Sequence, residues 1–249
     1  MLTHLSLFSG IGGLDIAAEM AGFKTVGQCE WADFQTKVLE KHWPDVPRWR
    51  DIRTLTGDSF YERTGLRTVD VISGGFPCQP HSKAGKRRAS ADERDLWPEM
   101  RRVINEIRPE WVVCENVRGL LSSENGRFFG GILRDFSDMG FDVGWCCLRA
   151  ADVGAVHRRE RVGIIAHSNN VRQLDTNIQN NGMGWEKQAL KEIDTGVKSW
   201  QRKSNLFEPK LLGSIDGVPN WMDRVKSLGN AVVPQQFYII FKLIADIMA

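Results

Sequence analysis

Short apolar runs alternate with amphipathic segments over the first 166 residues, and this alternation is the feature that most constrains the fold. Val, Ile and Leu dominate the runs, which end at glycine or polar residues as buried strands do. The segments between them repeat apolar residues at helical spacing. Strands separated by helices predict a mostly parallel, doubly wound α/β sheet. We expect strands near 4–8, 25–29, 69–73, 110–114, 141–148 and 161–166, and helices near 13–20, 33–41, 98–107 and 127–139.

The character of the sequence changes after residue 166. From 167 to about 205 it is polar and rich in Asn, Gln and Lys, without a sustained apolar period that could build a core. Beyond this segment, "VPQQFYIIFKLIADIM" (233–248) predicts a helix that begins at Pro234 and returns an apolar face to the main core. We therefore expect a main domain over 1–166, a small insert over 167–218 and a returning C-terminal segment over 219–249.

Composition restricts the class of protein. The 249 residues are 42% hydrophobic and 26% charged, as in globular proteins. No apolar run approaches the roughly 20 residues that span a bilayer, and the N-terminus lacks the features of a secretory signal. The five cysteines form no C-x-x-C pair, which argues against a disulfide framework and a zinc site. We expect a cytoplasmic protein with reduced thiols, no metal and no membrane partner.

A cysteine between two prolines is the first candidate for chemistry. The stretch "GGFPCQPHS" (74–82) follows the apolar run "VDVIS", so Cys78 is expected at the carboxyl end of a strand, where open parallel sheets bind ligands. Pro77 and Pro80 restrict the backbone around it. A thiol held in this way is a candidate nucleophile, although a free cysteine also commonly serves as a small buried hydrophobic residue.

The stretch "FSGIGGLD" (8–15) joins the first strand to the first helix. Its three glycines permit a tight turn and the close approach of a ligand, as in dinucleotide-binding folds. Asp15 replaces the third glycine of the dinucleotide fingerprint, and we expect it to disfavour a pyrophosphate and to accept a nucleoside such as S-adenosylmethionine. Glu30, 20 residues after Gly10, is placed to bind ribose hydroxyls, and Trp31 to pack on adenine. A simple turn, a surface acid and a core aromatic residue are the alternatives.

Polar residues at two further strand ends and before the last helix complete the candidate site. Glu115 follows the run "EWVVC" at the same edge as Cys78, where it would act as an acid toward a bound base or serve as a cap or salt-bridge partner. Arg159 and Arg161 lie two residues apart at a strand start and so point to one face, unless they are surface charges. Asn230 precedes the last helix, where it would cap the helix or touch a ligand.

Positive charge is concentrated after the candidate nucleophile, although the net charge of the chain is only +2. Lys83, Lys86, Arg87 and Arg88 all follow Cys78 within one loop. A basic loop beside a nucleophile suits a polyanionic substrate. A solvated surface loop is the alternative.

Taken in order, these motifs resemble those of the C5-cytosine DNA methyltransferases. The resemblance covers nearly the whole chain except 167–218. Each motif is ambiguous by itself, whereas the order and spacing of the full set are specific. The motifs fall at Phe8, Gly10 and Gly12; Glu30 and Trp31; Asp51 and Ile52; Pro77, Cys78 and Gln79; Glu115, Asn116 and Val117; Arg159 and Arg161; and Gly229, Asn230, Val232 and Pro234.

The resemblance implies a Rossmann-like, S-adenosylmethionine-dependent methyltransferase fold with 167–218 as a short target-recognition insert. It implies double-stranded DNA as the substrate, a cytosine flipped out of the duplex, and a monomeric bacterial or phage enzyme of restriction-modification. The implied catalytic residues are Cys78, which attacks cytosine C6, Glu115, which binds the N3 edge, and the pair Arg159 and Arg161. The implied cofactor-binding residues are Phe8, Gly10, Ile11, Gly12, Gly13, Glu30, Trp31, Asp51, Ile52, Pro77, Leu96, Asn230 and Val232.

The sequence departs from the family in two places. His157 stands where the arginine motif Q-x-R-x-R has glutamine, and the recognition segment is short. Three other functions stay open at this point: an RNA cytosine methyltransferase of the same architecture, a nicotinamide oxidoreductase, which Asp15 disfavours, and a noncatalytic nucleic-acid-binding relative.

Overall fold

In the described part of the chain, seven strands form one sheet in the order β3-β2-β1-β4-β5-β7-β6. The computed structural model describes residues 1–77, 95–155, 157–169, 227 and 230–249. The described strands are β1 (Leu2–Leu7), β2 (Phe23–Cys29), β3 (Arg48–Trp49), β4 (Val71–Gly74), β5 (Trp111–Val117), β6 (Phe141–Arg149) and β7 (Glu160–Ser168).

Helices cover both faces of the sheet, because the strands are apolar on both sides. The described helices are α1 (Gly13–Met20), α2 (Asp33–His42), α3 (Gly57–Thr64), α4 (Trp97–Ile107), α5 (Arg127–Asp138) and α6 (Pro234–Met248). One core cluster joins the sheet to α1 and α6, and the other joins it to α3, α4 and α5. Successive residues of a strand enter opposite clusters, as Val112 and Val113 of β5 do. This is the doubly wound α/β architecture that the sequence predicts.

The direction of β7 decides where the site forms. Strands β1 to β5 pair in parallel, whereas β7 runs antiparallel to both β5 and β6. The carboxyl ends of the parallel strands therefore meet the amino end of β7 at one edge. The loop at 8–12 and the residues around Glu115 and Arg161 lie at this edge.

Several element bounds differ from those expected. Strand β5 continues three residues past 114 because it pairs with β7 as far as Val117↔Arg161, and β7 reaches Ser168, which pairs with Phe141 of β6. His167 and Ser168, which fall in the range expected for the insert, are thus buried sheet residues. Neither β3 nor α3 is predicted from the sequence. No helix in the described part of the chain is long and apolar enough to cross a membrane.

Asp15 lies under the start of α1 and faces the sheet. It is fully buried, and its carboxylate accepts hydrogen bonds from Ser6 Oγ at 2.9 Å and Gln28 Nε2 at 2.8 Å. Gln28 in turn accepts a hydrogen bond from Arg48 Nε at 2.9 Å, so the network joins α1, β1, β2 and β3. The expectation that Asp15 acts against a pyrophosphate is therefore wrong, since its carboxylate is turned into the core.

Asp15 should make stability depend on pH. Burial raises its pKa to about 6, so the native state holds a proton that the unfolded state has lost between about pH 4 and pH 6. The folded state consequently loses stability as the pH rises through this window. We expect the free energy of unfolding of the native sequence to fall by about 2 to 3 kcal/mol relative to Asp15→Asn between pH 4 and pH 7.

Urea denaturation of both proteins at several pH values measures this difference. Asp45→Asn, at an exposed position, is the matched control and should leave the pH dependence unchanged. Parallel curves for the native sequence and Asp15→Asn would contradict the assignment.

Candidate active site

A cavity of about 400 Å³ opens at the carboxyl edge of the sheet, within the size range of small-molecule sites. The first loop, the end of β2, the start of the Cys78 loop and the segment before α6 form its walls. Ten of the expected cofactor residues line it: Phe8, Gly10, Ile11, Gly13, Glu30, Trp31, Pro77, Leu96, Asn230 and Val232. It is also lined by Glu115 and by six residues not expected from the sequence, namely Ser9, Leu14, Gln35, Gly75, Ser227 and Ala231.

The loop at 8–12 turns sharply through left-handed backbone conformations. Phe8 has φ +52°, which is uncommon for a residue with a side chain and clusters at functional sites. Gly12 has φ +89°, and a Cβ there would lie 2.5 Å from the Trp43 ring. Ser9 N donates to Cys29 O at 3.1 Å, which fastens the loop to the end of β2. The loop is therefore fixed in shape around the cavity.

Gly13 lets the C-terminal segment close the cavity. A Cβ on Gly13 would lie 2.6 Å from the carbonyl oxygen of Val232 and 3.0 Å from its Cβ. Val232 precedes α6, which packs on α1 in the same core cluster. Because Gly13 lacks a side chain, residues near both ends of the chain form one wall.

Glu30 holds two backbone segments of the cavity. Its carboxylate accepts hydrogen bonds from Gly10 N and Ala32 N, each at 2.8 Å. A carboxylate has about four acceptor positions, so these two bonds leave acceptor capacity for ribose hydroxyls. Glu30 thus fixes the loop backbone, a role that the sequence does not predict beside the expected ribose contact.

Trp31 is 70% exposed, which rules out the core alternative considered from the sequence. Its side chain lines the cavity, while its carbonyl oxygen accepts a hydrogen bond from the Arg50 guanidinium at 2.6 Å. An exposed indole on a cavity wall presents a flat apolar face to a ligand. This position suits packing against a purine.

Ser227 contributes a buried hydroxyl to the cavity wall. Its Oγ has no hydrogen-bond partner among the residues that the structure describes. A buried polar atom without a partner is costly, and a ligand atom would satisfy it. Together with the glycine loop, the Glu30 acceptor and the exposed indole of Trp31, this hydroxyl fits a nucleoside ligand with polar substituents, as S-adenosylmethionine is.

Three expected cofactor residues do not line the cavity. Asp51 caps the 3-10 turn Ile52–Thr54, with its carboxylate accepting from Arg53 N at 2.9 Å, and Ile52 is buried in the core. Gly12 lies in the loop against Trp43. Their described contacts are with the turn, the core and Trp43.

Glu115 and Arg161 form an ion pair at the cavity. Arg161 Nε lies 2.6 Å from Glu115 Oε1, and both side chains are largely buried. Glu115 is opposite Gly163 in the β5–β7 ladder, so Arg161 is its diagonal neighbour on the same face. A Cβ on Gly75 would lie 2.8 Å from Glu115 Oε2, so Gly75 leaves room for the carboxyl group. The expected acid and one expected arginine are thus in contact.

Burial and neighbouring charges shift the pKa values of Glu115 and Arg159. Burial raises the pKa of Glu115, while the charges of Arg161 and Arg159 oppose this shift. Burial and the neighbouring Arg161 lower the pKa of Arg159. Two arginines and one buried carboxyl group therefore act on one another at this edge, an arrangement typical of functional sites.

Cys78 lies outside the described residues, and the basic loop at 82–88 does as well. The described residues before Cys78 are well anchored. The Phe76 ring is buried and packs against Trp97 with centroids 5.2 Å apart, and Asn116 Nδ2 donates to Phe76 O at 3.0 Å. Pro77, the residue directly before Cys78, lines the cavity. The expected nucleophile therefore directly follows, in sequence, a residue of the cavity wall.

The chain is similar to known proteins of one family. A family model of C-5 cytosine-specific DNA methylases matches residues 2–212. The chain is 36% identical over 171 residues to the type II methyltransferase M.NgoMIV of Neisseria gonorrhoeae, covering 67% of this chain and 52% of that protein. It is 35% identical over 177 residues to M.FnuDI of Fusobacterium nucleatum, covering 71% and 48%. The chain thus spans about half the length of these curated relatives.

Solved structures share the fold. The methyltransferase EhMeth of Entamoeba histolytica superimposes with a TM-score of 0.68 at 13% identity, covering 100% of this chain and 99% of that one. DNMT2 of Spodoptera frugiperda superimposes with a TM-score of 0.56 at 23% identity, covering 69% and 51%.

Glu30→Ala should weaken binding of S-adenosylmethionine by about 1 to 3 kcal/mol, because the ribose acceptor is lost and two backbone N–H groups lose their partner. Isothermal titration calorimetry with the purified chain measures the dissociation constant. Glu40→Ala, on the exposed side of α2, is the control and should bind as the native sequence does. An unchanged dissociation constant for Glu30→Ala would place the ribose contact elsewhere.

Proposed function

This chain belongs to the C-5 cytosine-specific DNA methylase family, and we propose that it transfers a methyl group from S-adenosylmethionine to C5 of cytosine in double-stranded DNA. The observation that carries the proposal is the Glu115–Arg161 ion pair, whose carboxyl group lines the same cavity as the glycine loop and Glu30. A base-binding acid and a nucleoside site in one cavity suit transfer of a group from a nucleoside to a base.

Bound S-adenosylmethionine would supply a methyl group activated by its sulfonium. Glu30 would accept hydrogen bonds from the ribose hydroxyls, and Trp31 would pack on the adenine. The Ser227 hydroxyl would bond a polar substituent of the ligand. These residues would orient the donor at the end of the cavity that Glu115 lines.

Cytosine C5 is a weak nucleophile, and the residues at the edge would activate it. The Cys78 thiolate would form a bond to C6, and the electron pair pushed into the ring would be offset by a proton or hydrogen bond from Glu115 at N3. The raised pKa of Glu115 favours this role, because a protonated carboxyl group can donate. After C5 takes the methyl group, loss of the C5 proton and departure of Cys78 would restore the aromatic ring.

Arg159 would hold the cytosine, and Arg161 would hold Glu115. Arg159 donates from its guanidinium to the carbonyl oxygen of Asn230 at 2.9 Å, which ties it to the cavity wall. Arg161 contacts Glu115 directly. Arg159 would therefore bind the base, and Arg161 would orient the Glu115 carboxyl group.

Access to C6 requires that the base leave the duplex, because stacking and pairing shield the ring. We propose that the basic loop at 82–88 contacts the DNA backbone and that the insert contributes to the choice of site. The basic loop lies outside the described residues, and so does the insert from residue 170 onward. Pairing with a restriction enzyme is part of the same proposal.

Family membership excludes one alternative function, and experiments distinguish the other two. Membership of the methylase family contradicts a nicotinamide oxidoreductase. An RNA cytosine methyltransferase and a noncatalytic relative are distinguished by experiment, since the first would modify transfer RNA in preference to DNA and the second would bind without methyl transfer.

Expression of this chain in bacteria without cytosine methylation should produce 5-methylcytosine at a defined sequence in plasmid DNA, detected by bisulfite sequencing. Cys78→Ala should abolish the signal and keep the affinity for S-adenosylmethionine within a few-fold, because the thiol belongs to the base side of the site. Cys147→Ala, at an exposed cysteine, is the matched control and should methylate normally. Unmethylated DNA alongside methylated transfer RNA would favour the RNA substrate.

A further inference from the structure

Gln236 lies in the first turn of α6 and is fully buried. Its amide Nε2 donates to two carbonyl oxygens, Leu148 O and Arg159 O, each at 3.0 Å. The acceptors are 88 and 77 residues away in sequence, at the end of β6 and just before β7. Glutamine is mostly exposed in proteins, and burying its amide is costly unless the amide is hydrogen-bonded. The two bonds of Nε2 therefore offset part of the cost of burying Gln236.

The orientation of the Gln236 amide follows from its partners. Carbonyl oxygens only accept hydrogen bonds, and the amide nitrogen of glutamine is the one group on this side chain with two donors. Nε2 therefore faces Leu148 O and Arg159 O. A side chain of the same size without donors would leave these contacts unmade.

The backbone of Arg159 depends on bonds of this kind. Arg159 precedes β7, and the last pair of the β6–β7 ladder is Arg149↔Glu160. Its carbonyl oxygen accepts from Ala150 N at 2.8 Å and from Gln236 Nε2, which uses both lone pairs. One of these two donors is the buried side chain on α6, so the helix takes part in setting the backbone position of Arg159.

The same C-terminal segment also holds the side chain of Arg159. The guanidinium donates to Asn230 O at 2.9 Å, six residues before Gln236 in the chain. Arg159 is therefore fixed at its carbonyl group by α6 and at its guanidinium by the residues that precede α6. His157, which replaces the glutamine of the family motif two residues earlier, is exposed.

We propose that Gln236 is a positioning residue that sets the place of Arg159 for binding the target base. This inference rests on the proposed function, since it assigns Arg159 to the cytosine. Gln236 itself does not line the cavity and acts through the backbone of Arg159. Displacement of a substrate-holding group by about 1 Å from such a remote change costs on the order of 100-fold in rate.

The test compares Gln236→Met with Gln235→Met in the full chain. Methionine keeps the length and volume of glutamine but donates no hydrogen bond, and Gln235 is the adjacent residue at a partly buried position. Steady-state methylation of duplex DNA should show kcat lowered about 10- to 100-fold for Gln236→Met and unchanged for Gln235→Met. Calorimetric affinity for S-adenosylmethionine should be unchanged in both, and assays run well below each melting temperature remove any effect of stability.

A double-mutant cycle separates positioning from a merely structural role. Because Gln236 acts through Arg159, adding Gln236→Met to Arg159→Ala should change kcat by less than about 2-fold. If Gln236→Met does not fold, Gln236→Glu keeps the shape and can donate when protonated, so its deficit in kcat should be larger at pH 8 than at pH 6.

Two results would overturn this inference and leave the proposed function intact. One is an unchanged kcat for the Gln236 variant when the native chain is active. The other is a double variant whose loss of kcat equals the product of the losses caused by Gln236→Met and Arg159→Ala. A folded native chain that binds S-adenosylmethionine but methylates no DNA would instead overturn the proposed function and the role of Gln236 with it.

Discussion

The antiparallel pairing of β7 with β5 is the constraint on which the site depends. A strand of nine residues is about 30 Å long, so reversing β7 would carry Arg161 to the opposite edge of the sheet. In the observed antiparallel arrangement, the amino end of β7 lies beside the carboxyl end of β5, and Arg161 Nε lies 2.6 Å from the Glu115 carboxyl group. Burial raises the pKa of Glu115, which favours the hydrogen-bond donation to cytosine N3 that we propose for it. Strand direction thus determines the chemistry available at the edge.

The C-terminal segment joins the two halves of the site. Val232 packs on Gly13 of the glycine loop, and Asn230 O accepts a hydrogen bond from Arg159, for which we propose contact with the base. Gln236, in the helix that follows, bonds the Arg159 backbone. Packing of α6 against α1 and the sheet therefore places both the cavity wall and Arg159. The segment thus contacts the glycine loop through Val232 and Arg159 through Asn230 and Gln236.

The repeating elements and most cavity residues could be predicted from the sequence, because apolar periodicity defines strands and glycines mark the ligand loop. Helix α3 was not, since it buries only Phe60 and has no apolar stripe, and β3 has only two residues. The inward orientation of Asp15 could not be predicted, because sequence position does not tell which way a side chain on a first helical turn points. Gln236 gave no signal, since its partners lie 77 and 88 residues away. Ser227 could have been noticed only as a polar residue near the Gly-Asn motif.

Covalent attack by Cys78 is the central claim, and a duplex with 5-fluorocytosine at the methylated position tests it most directly. Fluorine at C5 cannot leave as a proton does, so the methylated adduct should persist. The account predicts a denaturation-resistant protein–DNA complex that requires S-adenosylmethionine, is absent with Cys78→Ala, and maps by mass spectrometry to the peptide that contains Cys78. Turnover of this duplex by an active enzyme without trapping, or trapping through Cys29, Cys114, Cys146 or Cys147, would contradict it.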